Sequence, residues 1–383
     1  MHRDAETTPA GKPRARALRI PLPGRPDGHN AITDVTGVEV GYTTLISGDG
    51  LPGEETVRTG VTAILPRGRD GVGIACAAGW SCLNGNGEMT GTTWISESGS
   101  LAVPVLLTNT HAVGACHRGT IDWVVTRRPD SVGWLLPVVA ETWDGYLNDV
   151  NADSVQPGHA VQTIDAAAPG PVEEGSVGGG TGMNCYGFKG GSGTASRIVE
   201  YGSDSYVVGA FLQANFGRRR ELTMAGVHVG PALSDDNPME EQDAAAPPGS
   251  GSVIAVVATD APLLPGQCQA LARRVPLGLA RTGTTGSHFS GDIFLAFSTA
   301  NPGALASTEP DPLVDGYETM RFVTWGGMDR FYEAVVEAVE EAVLNALVAN
   351  ETMTGRAGHR SPALPRERLR RLLHDRGIAL SRD

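Results

Sequence analysis

The run GSGSVIAVVAT occupies residues 249–259 and is the most strand-like stretch of the sequence. Residues 253–258 are all apolar and mostly β-branched, which favours a buried β-strand. Small, flexible residues come directly before them. The pattern therefore predicts a strand over Ser252–Ala258 that begins abruptly at Ser252, at the end of a flexible connection.

Two interpretations of the junction between Gly251 and Ser252 are open from its residues alone. The first is a simple flexible connection into a strand. The second is a cleavage site, because a cut there would leave Ser252 rigidly mounted with a free α-amino group. A serine hydroxyl needs a nearby base to act as a nucleophile, and an α-amino group with an ordinary pKa of about 8 can be that base near neutrality.

Short apolar segments, separated by Gly and Pro, lie on both sides of this strand without a fixed repeat. Amphipathic spacing predicts a helix over Asp329–Ala349 and a second over Pro265–Arg281, which Pro276 must end or kink. A third helix is predicted over Pro137–Asn148. Strands interspersed with such helices predict a single layered α/β domain. The other predicted strands are 37–43, 60–65, 73–78, 102–108, 205–212, 226–229 and 291–298.

Two polar segments interrupt this pattern. Residues 234–250 are acidic and rich in Pro and Ala, and they are predicted to be mobile and exposed. Residues 352–383 carry many arginines and are predicted to form a peripheral C-terminal extension. The mobile segment leads directly to the junction at Ser252.

Composition excludes several classes of partner and compartment. Acidic residues outnumber basic ones by 43 to 30, and the formal charge of −13 should repel phosphate backbones, so no nucleic acid partner is expected. Neither a signal peptide nor an apolar run long enough to span a membrane is found. The five cysteines are scattered and odd in number, which indicates reduced, mostly buried thiols. We therefore expect a cytoplasmic protein that does not associate with membranes.

Several motifs invite other functions and are rejected. GGGTG at 178–182 and KGGSG at 189–193 are rich in glycine, but Lys189 is followed by Gly190, where a phosphate-binding loop needs Ser or Thr. The histidines at 111, 117 and 288 lack the spacing of a zinc site, so no metal is predicted. No GxSxG motif is present, which argues against an α/β-hydrolase.

Six ordered blocks of the sequence resemble one family, that of the L-aminopeptidase/D-esterases and β-peptidyl aminopeptidases. The resemblance runs from about residue 20 to about residue 350. The blocks are NGNGEMTG (84–91), TNTHAVG (108–114), GGGTGMNCYGFKGGSGTASR (178–197), QANFGRR (213–219), ATDAPLLPGQCQALARRVPLGLARTG (258–283) and SGDIFLAFSTAN (290–301).

The resemblance implies an N-terminal-nucleophile-like αββα four-layer sandwich that cuts itself between Gly251 and Ser252. An α chain of residues 1–251, with a flexible end at 234–251, and a β chain of residues 252–383 would then stay together, usually as a homotetramer. The implied activity is hydrolysis of the N-terminal residue of small peptides, amides or esters. The reaction would pass through an acyl-enzyme on Ser252, without a cofactor.

The resemblance also assigns supporting roles to three residues. Ser290 and Asp292 are two apart, which places both side chains on one face of a strand, and they resemble the pair that supports the nucleophile. Relatives that cleave β-peptides carry Glu where this chain has Asp292. Asn215 resembles an oxyanion donor. Without the resemblance, the pair could equally cap a strand, and Asn215 could form a turn before Gly217.

Glu141 and Tyr146 match positions that line the active site in relatives. A carboxylate at Glu141 could hold the substrate ammonium, and the Tyr146 hydroxyl could assist Asn215 or the leaving amine. Residues five apart on a regular helix lie about 140° from each other. The two side chains would therefore converge only if the predicted helix ended near Gly145.

Three functional hypotheses remain at this point. The first is the aminopeptidase. The second is a β-peptide-selective aminopeptidase or acyltransferase that uses the same residues, with an amine in place of water in the transferase. The third is an unprocessed, inactive binding homologue of the same fold.

Overall fold

The structure is a computed structural model that describes residues 3–51, 53–129, 134–242, 251–307 and 316–380. Ten strands, arranged in two sheets, form its centre. In chain order they are β1 (Glu39–Ser47), β2 (Val57–Leu65), β3 (Cys76–Gly85), β4 (Ser100–Leu101), β5 (Val105–Asn109), β6 (Val138–Thr142), β7 (Gly191–Tyr201), β8 (Asp204–Asn215), β9 (Gly251–Thr259) and β10 (Ser290–Ser298). Two-residue strands at Asn184–Cys185, Phe188–Lys189, Thr223–Met224, Val227–His228, Met353–Thr354 and Arg360–Ser361 form small hairpins outside them.

The strands form a four-stranded sheet of order β1-β2-β5-β6 and a six-stranded sheet of order β4-β3-β10-β9-β8-β7. Neighbours in each sheet are antiparallel, with two exceptions. The pairs β5–β6 and β9–β10 are parallel. The strand that begins at residue 251 therefore lies near the middle of the larger sheet, where both of its edges are paired.

Helices cover the outer faces of both sheets. Those of eight or more residues are α2 (Val113–Arg127), α3 (Pro157–Asp165), α5 (Pro265–Ala272), α7 (Asp329–Val348) and α8 (Arg366–Asp375); the shorter ones are α1 (Thr92–Ser98), α4 (Pro238–Gln242) and α6 (Val275–Arg281). In the smaller sheet, β1, β2, β5 and β6 contact α2 or α3. In the larger sheet, β3, β7, β8, β9 and β10 contact α5 or α7.

The strand β9 illustrates how alternation builds the layers. Ile254 and Val256 belong to the core between the two sheets, whereas Val253 and Ala255 belong to the core under the outer helices. All four are buried because a central strand of this architecture has no solvent-exposed face. The predicted αββα four-layer sandwich is confirmed.

The helix predictions had two different outcomes. Asp329–Val348 matches its predicted range, and the second helix is broken into α5 and α6 around residues 273–274, next to Pro276. The prediction of a helix over Pro137–Asn148 is wrong. Val138–Thr142 is a fully buried strand that pairs with β5. A short apolar run fits a buried helix and a buried strand equally well, and the parallel partner decides between them.

The polar segments contact each other at the surface. Asp235 pairs with Arg368, and Asp236 with Arg360, so the start of the acidic segment is tied to the C-terminal extension. Pro238–Gln242 forms the short helix α4, while residues 243–250 of the predicted mobile segment lie outside the described residues.

All five cysteines are free, and four of them are buried, as predicted; Cys82 is exposed. Along the described stretches, every helix is too short or too polar to cross a bilayer.

Candidate active site

Ser252 lies at the start of β9, between strands on both sides. Its main chain pairs with Asn215, at the end of β8, and with Gly291, near the start of β10. Gly251 pairs with Ser290 in the same register. The three candidate residues Ser252, Asn215 and Ser290 are thus brought to one end of the larger sheet by strand pairing alone.

Two donors point at the Ser252 hydroxyl. The main-chain N–H of Trp143, just after β6 of the facing sheet, donates to Ser252 Oγ at 3.3 Å. Asn215 Nδ2 lies 3.4 Å from the same oxygen and also donates to the Trp143 carbonyl at 2.8 Å. Asn215 Oδ1 accepts from the N–H of Asn184 at 2.9 Å, which fixes the orientation of the amide. The hydroxyl of Ser252 therefore faces preorganised donors in the space between the sheets.

Ser290 and Asp292 form a pair on the other side of the strand. Ser290 Oγ donates to Asp292 Oδ1 at 2.5 Å, and both residues are buried. Burial raises the pKa of Asp292, and the hydrogen bond from Ser290 opposes that shift. Since Ser290 is in register with Gly251, its hydroxyl lies 3.6 Å from the position of a Cβ built on that glycine. The pair thus faces the peptide link that precedes Ser252, and not the Ser252 hydroxyl.

Glu141 enters the site from the strand β6 and not from the predicted helix. Its carboxylate accepts hydrogen bonds from the Thr110 hydroxyl and, at 2.9 Å, from the N–H of Glu88. Burial raises the pKa of Glu141, and these two donors oppose the shift. A Cβ on Gly87 would lie 3.3 Å from Glu141 Oε1 and 3.0 Å from Gly291 Cα. One glycine therefore separates this carboxylate from the strand that bears Ser290 and Asp292.

Tyr146 contacts the C-terminal extension. Its hydroxyl donates to the carbonyl of Arg360 at 3.2 Å, and its ring stacks on His359 with centroids 4.7 Å apart. His359 Nδ1 also lies 2.9 Å from the Tyr146 carbonyl. The extension that the sequence predicts to be peripheral thus holds the segment that follows Trp143.

The glycine-rich blocks form close packing around these strands. A Cβ on Gly180 would lie 2.3 Å from the N atom of Ser192. Lys189 is buried, and its Nζ donates to the carbonyls of Met183 and Gly190. Burial lowers the pKa of Lys189 to about 7. These contacts agree with a packing role for the glycines and give Lys189 partners other than a phosphate.

Sequence reasoning missed four contributors to the site. Trp143 contributes main-chain atoms, its N–H and its carbonyl, for which a sequence carries no signal. The other three are Asn84, Glu88 and Thr110. They fall within the blocks NGNGEMTG and TNTHAVG, which the resemblance marks, but the sequence does not reveal which side chain or main-chain group each contributes. In the described part of the chain, no cluster of three or more His, Cys, Asp or Glu is arranged to hold a metal ion.

Comparison with known proteins agrees with this geometry. The family model described as Peptidase family S58 matches residues 30–361. The β-peptidyl aminopeptidase BapA of Sphingosinicella microcystinivorans is 48% identical over 371 residues, which cover 94% of this chain and 92% of that protein.

Solved structures support the same assignment. The L-aminopeptidase D-Ala-esterase/amidase of Ochrobactrum anthropi, described as a prototype of the serine aminopeptidases with a variant of the Ntn hydrolase fold, superposes with a TM-score of 0.88 at 45% identity; the match covers 96% of this chain and 99% of that one. A β-aminopeptidase of Burkholderia sp. superposes with a TM-score of 0.86 at 42% identity, over 94% and 98% of the two chains. The chain therefore belongs to peptidase family S58 and is a serine aminopeptidase with an Ntn hydrolase fold.

Proposed function

We propose that the chain cuts itself between Gly251 and Ser252, and that Ser252 then removes N-terminal residues from small peptides, amides or esters. The observation that carries this proposal is the placement of the Ser252 hydroxyl, which lies within 3.4 Å of both the Asn215 amide and the Trp143 N–H at the start of a buried strand. A nucleophile needs rigid mounting and nearby donors for the negative charge that develops on the substrate oxygen.

The mechanism assigns a different task to each face of β9. In the processed enzyme the α-amino group of Ser252 accepts the hydroxyl proton as Oγ attacks the substrate carbonyl. Asn215 donates to the resulting oxyanion, and the Trp143 N–H is placed to do the same. As the intermediate collapses, the protonated α-amino group returns the proton to the leaving amine or alcohol, which departs and leaves an ester on Oγ. Water then attacks this ester, with the α-amino group taking its proton and passing it to Ser252 Oγ as the acid product leaves. Ser290 Oγ lies 3.6 Å from a Cβ built on Gly251, next to the bond that the proposed cut breaks, and it is held by Asp292, which suits a relay to the new amine.

Glu141 is proposed to select substrates with a free N-terminus. Two donors already occupy part of its carboxylate, and a carboxylate has acceptor positions left for a third. An ammonium group held there would lie near Gly291 and hence near the attacked carbonyl. Tyr146 is proposed to line the same site, in a position fixed by the C-terminal extension.

The test of this proposal uses the purified chain and a panel of aminoacyl p-nitroanilides with L-, D- and β-amino acids. We expect intact-mass measurement to give two fragments, the smaller of which begins at Ser252, together with turnover of at least one α-aminoacyl substrate. Turnover confined to β-aminoacyl substrates would favour the β-peptide-selective alternative, to which the named relatives point. A chain that stays whole and inactive would contradict both.

We expect Glu141→Gln to lower kcat/KM for aminoacyl p-nitroanilides by about tenfold to a hundredfold, because a hydrogen bond to a charged group contributes about 1.5–3 kcal/mol. The measurement is steady-state kinetics on the processed enzyme. Glu97→Gln is the matched control, since Glu97 is an exposed glutamate of α1 and is not among the groups that act on the Glu141 carboxylate. Equal losses in the two variants would rule out the ammonium-anchor role.

Two wider properties complete the proposal. Five free cysteines suit a reducing compartment, which supports cytoplasmic residence. The resemblance supports a homotetramer of processed protomers, which light scattering of the purified enzyme would test directly.

A further inference from the structure

A bulge in β3 faces the strand that carries Asp292. Asp292 pairs with Asn84, but the next residue of β10, Ile293, pairs with Cys82, so Leu83 is left over on the β3 side. A β-bulge bends its strand and re-aims the neighbouring side chains. Here it brings Asn84 against both the main chain and the side chain of Asp292.

Asn84 makes three hydrogen bonds at this point. Its Oδ1 accepts from the N–H of Asp292 at 3.0 Å, while its Nδ2 donates to Asp292 Oδ2 at 3.3 Å and to the carbonyl of Ser287 at 2.9 Å. The orientation of the amide is unambiguous because a main-chain N–H can only donate and a carbonyl can only accept. Asp292 thus has one carboxylate oxygen on Asn84 and the other on Ser290.

We infer that Asn84 is a positioning residue for catalysis, one that clamps the Asp292 carboxylate so that it stays aimed at Ser290. The inference rests on the proposed function, in which Ser290 and Asp292 serve the α-amino group of Ser252. A free aspartate side chain can turn about two bonds, and a small rotation would move Oδ1 away from Ser290. Asn84 opposes that rotation because it holds the other carboxylate oxygen, Oδ2.

The clamp also biases Asp292 towards its ionised form. Burial raises the pKa of Asp292, and the hydrogen bonds from Ser290, Asn84 and the N–H of Val253 lower it again. Among the described residues, no charged side chain contributes to these changes in the pKa of Asp292. A donor lost at Asn84 therefore leaves the carboxylate with less support against the effect of burial.

Asn86 provides a matched control. Its Nδ2 donates to the carbonyl of Phe289 at 2.9 Å, so both asparagines hold the loop that leads into Ser290. Asn84 also donates to Asp292, whereas the hydrogen bond described for the Asn86 side chain goes to Phe289. A change in kinetics that comes from a weakened loop anchor alone should therefore appear in substitutions of either asparagine.

The experiment compares Asn84→Asp with Asn86→Asp in the processed enzyme by the pH dependence of kcat/KM on an aminoacyl p-nitroanilide. Asn84→Asp replaces a donor with a second carboxylate, whose negative charge raises the pKa of Asp292 and also the pKa of the α-amino group of Ser252, the base of the proposed mechanism. We expect the acid limb of the profile to move to higher pH by about one unit or more, whereas Asn86→Asp leaves it in place. Asn84→Ser, which removes the amide without adding charge, should lower kcat more than it changes KM.

Thermal unfolding of each variant separates misfolding from misplacement. Equal acid limbs for the two Asn→Asp variants, or a folded Asn84→Ser enzyme with unchanged kcat, would overturn the clamp while leaving the proposed function intact. An inactive unsubstituted chain would overturn the proposed function and the clamp together.

Discussion

Replacing Ser252 with Ala is expected to leave the chain in one piece and to abolish turnover. The Oγ atom that faces Asn215 and Trp143 is the proposed nucleophile both for the cut at Gly251 and for the substrate. Loss of the serine nucleophile in the serine protease subtilisin costs about six orders of magnitude in kcat. Intact mass should give a single full-length species, and the aminoacyl p-nitroanilide rate should fall to background.

Ser298→Ala is a suitable control for this result. Ser298 is equally buried at the far end of β10, where its hydroxyl donates to the carbonyl of Ala261 at 2.6 Å. We expect this variant to split and turn over like the unsubstituted chain. A Ser252→Ala chain that still split at Gly251 would show that another group makes the cut.

Strand alternation and ordered blocks made much of the fold predictable. The strand at 251–259 departs from its predicted range by one residue at each end, and Asp329–Val348 differs by one residue from its prediction. Both segments have a long, clear pattern, and such patterns survive tertiary packing. The pairing of Ser290 with Asp292 also followed from strand geometry, because residues two apart on a strand share a face.

Features that depend on a distant partner could not be predicted in the same way. The sequence predicts a helix over 137–148 that would carry Glu141, whereas pairing with β5 makes residues 138–142 a strand. Asn84 contacts Asp292 across more than two hundred residues of sequence and through a bulge that no local pattern reveals. The stacking of Tyr146 on His359 is equally remote in sequence.

A buried ionic network joins the two proposed fragments. Glu341, on α7, accepts hydrogen bonds from Arg16 at 2.7 Å, from Arg197 at 2.8 Å and from Asn30 at 2.6 Å. Glu341 belongs to residues 252–383, whereas its three partners belong to residues 1–251. Both Glu341 and Arg197 are almost completely buried, with 0% and 1% of their side chains exposed. The network therefore crosses the interface that would remain after the cut.

Glu341→Gln is expected to lower the free energy of unfolding by about 3–5 kcal/mol, because it leaves buried arginines without their carboxylate. Burial acts to raise the pKa of Glu341, but Arg197 and Arg16 outweigh it and lower the pKa from 4.5 to about 2. A depressed folded-state pKa stabilises the fold above about pH 4.5, and that stabilisation is lost as the pH falls towards 2. The variant should lack this part of the pH dependence in denaturant melts. Glu200→Gln breaks the exposed pair with Arg25 and should cost at most about 1 kcal/mol. Equal costs for the two would mean that the buried network contributes no more than a surface pair, and that strand pairing of β9 with β8 and of β10 with β3, together with apolar packing, holds the fragments together.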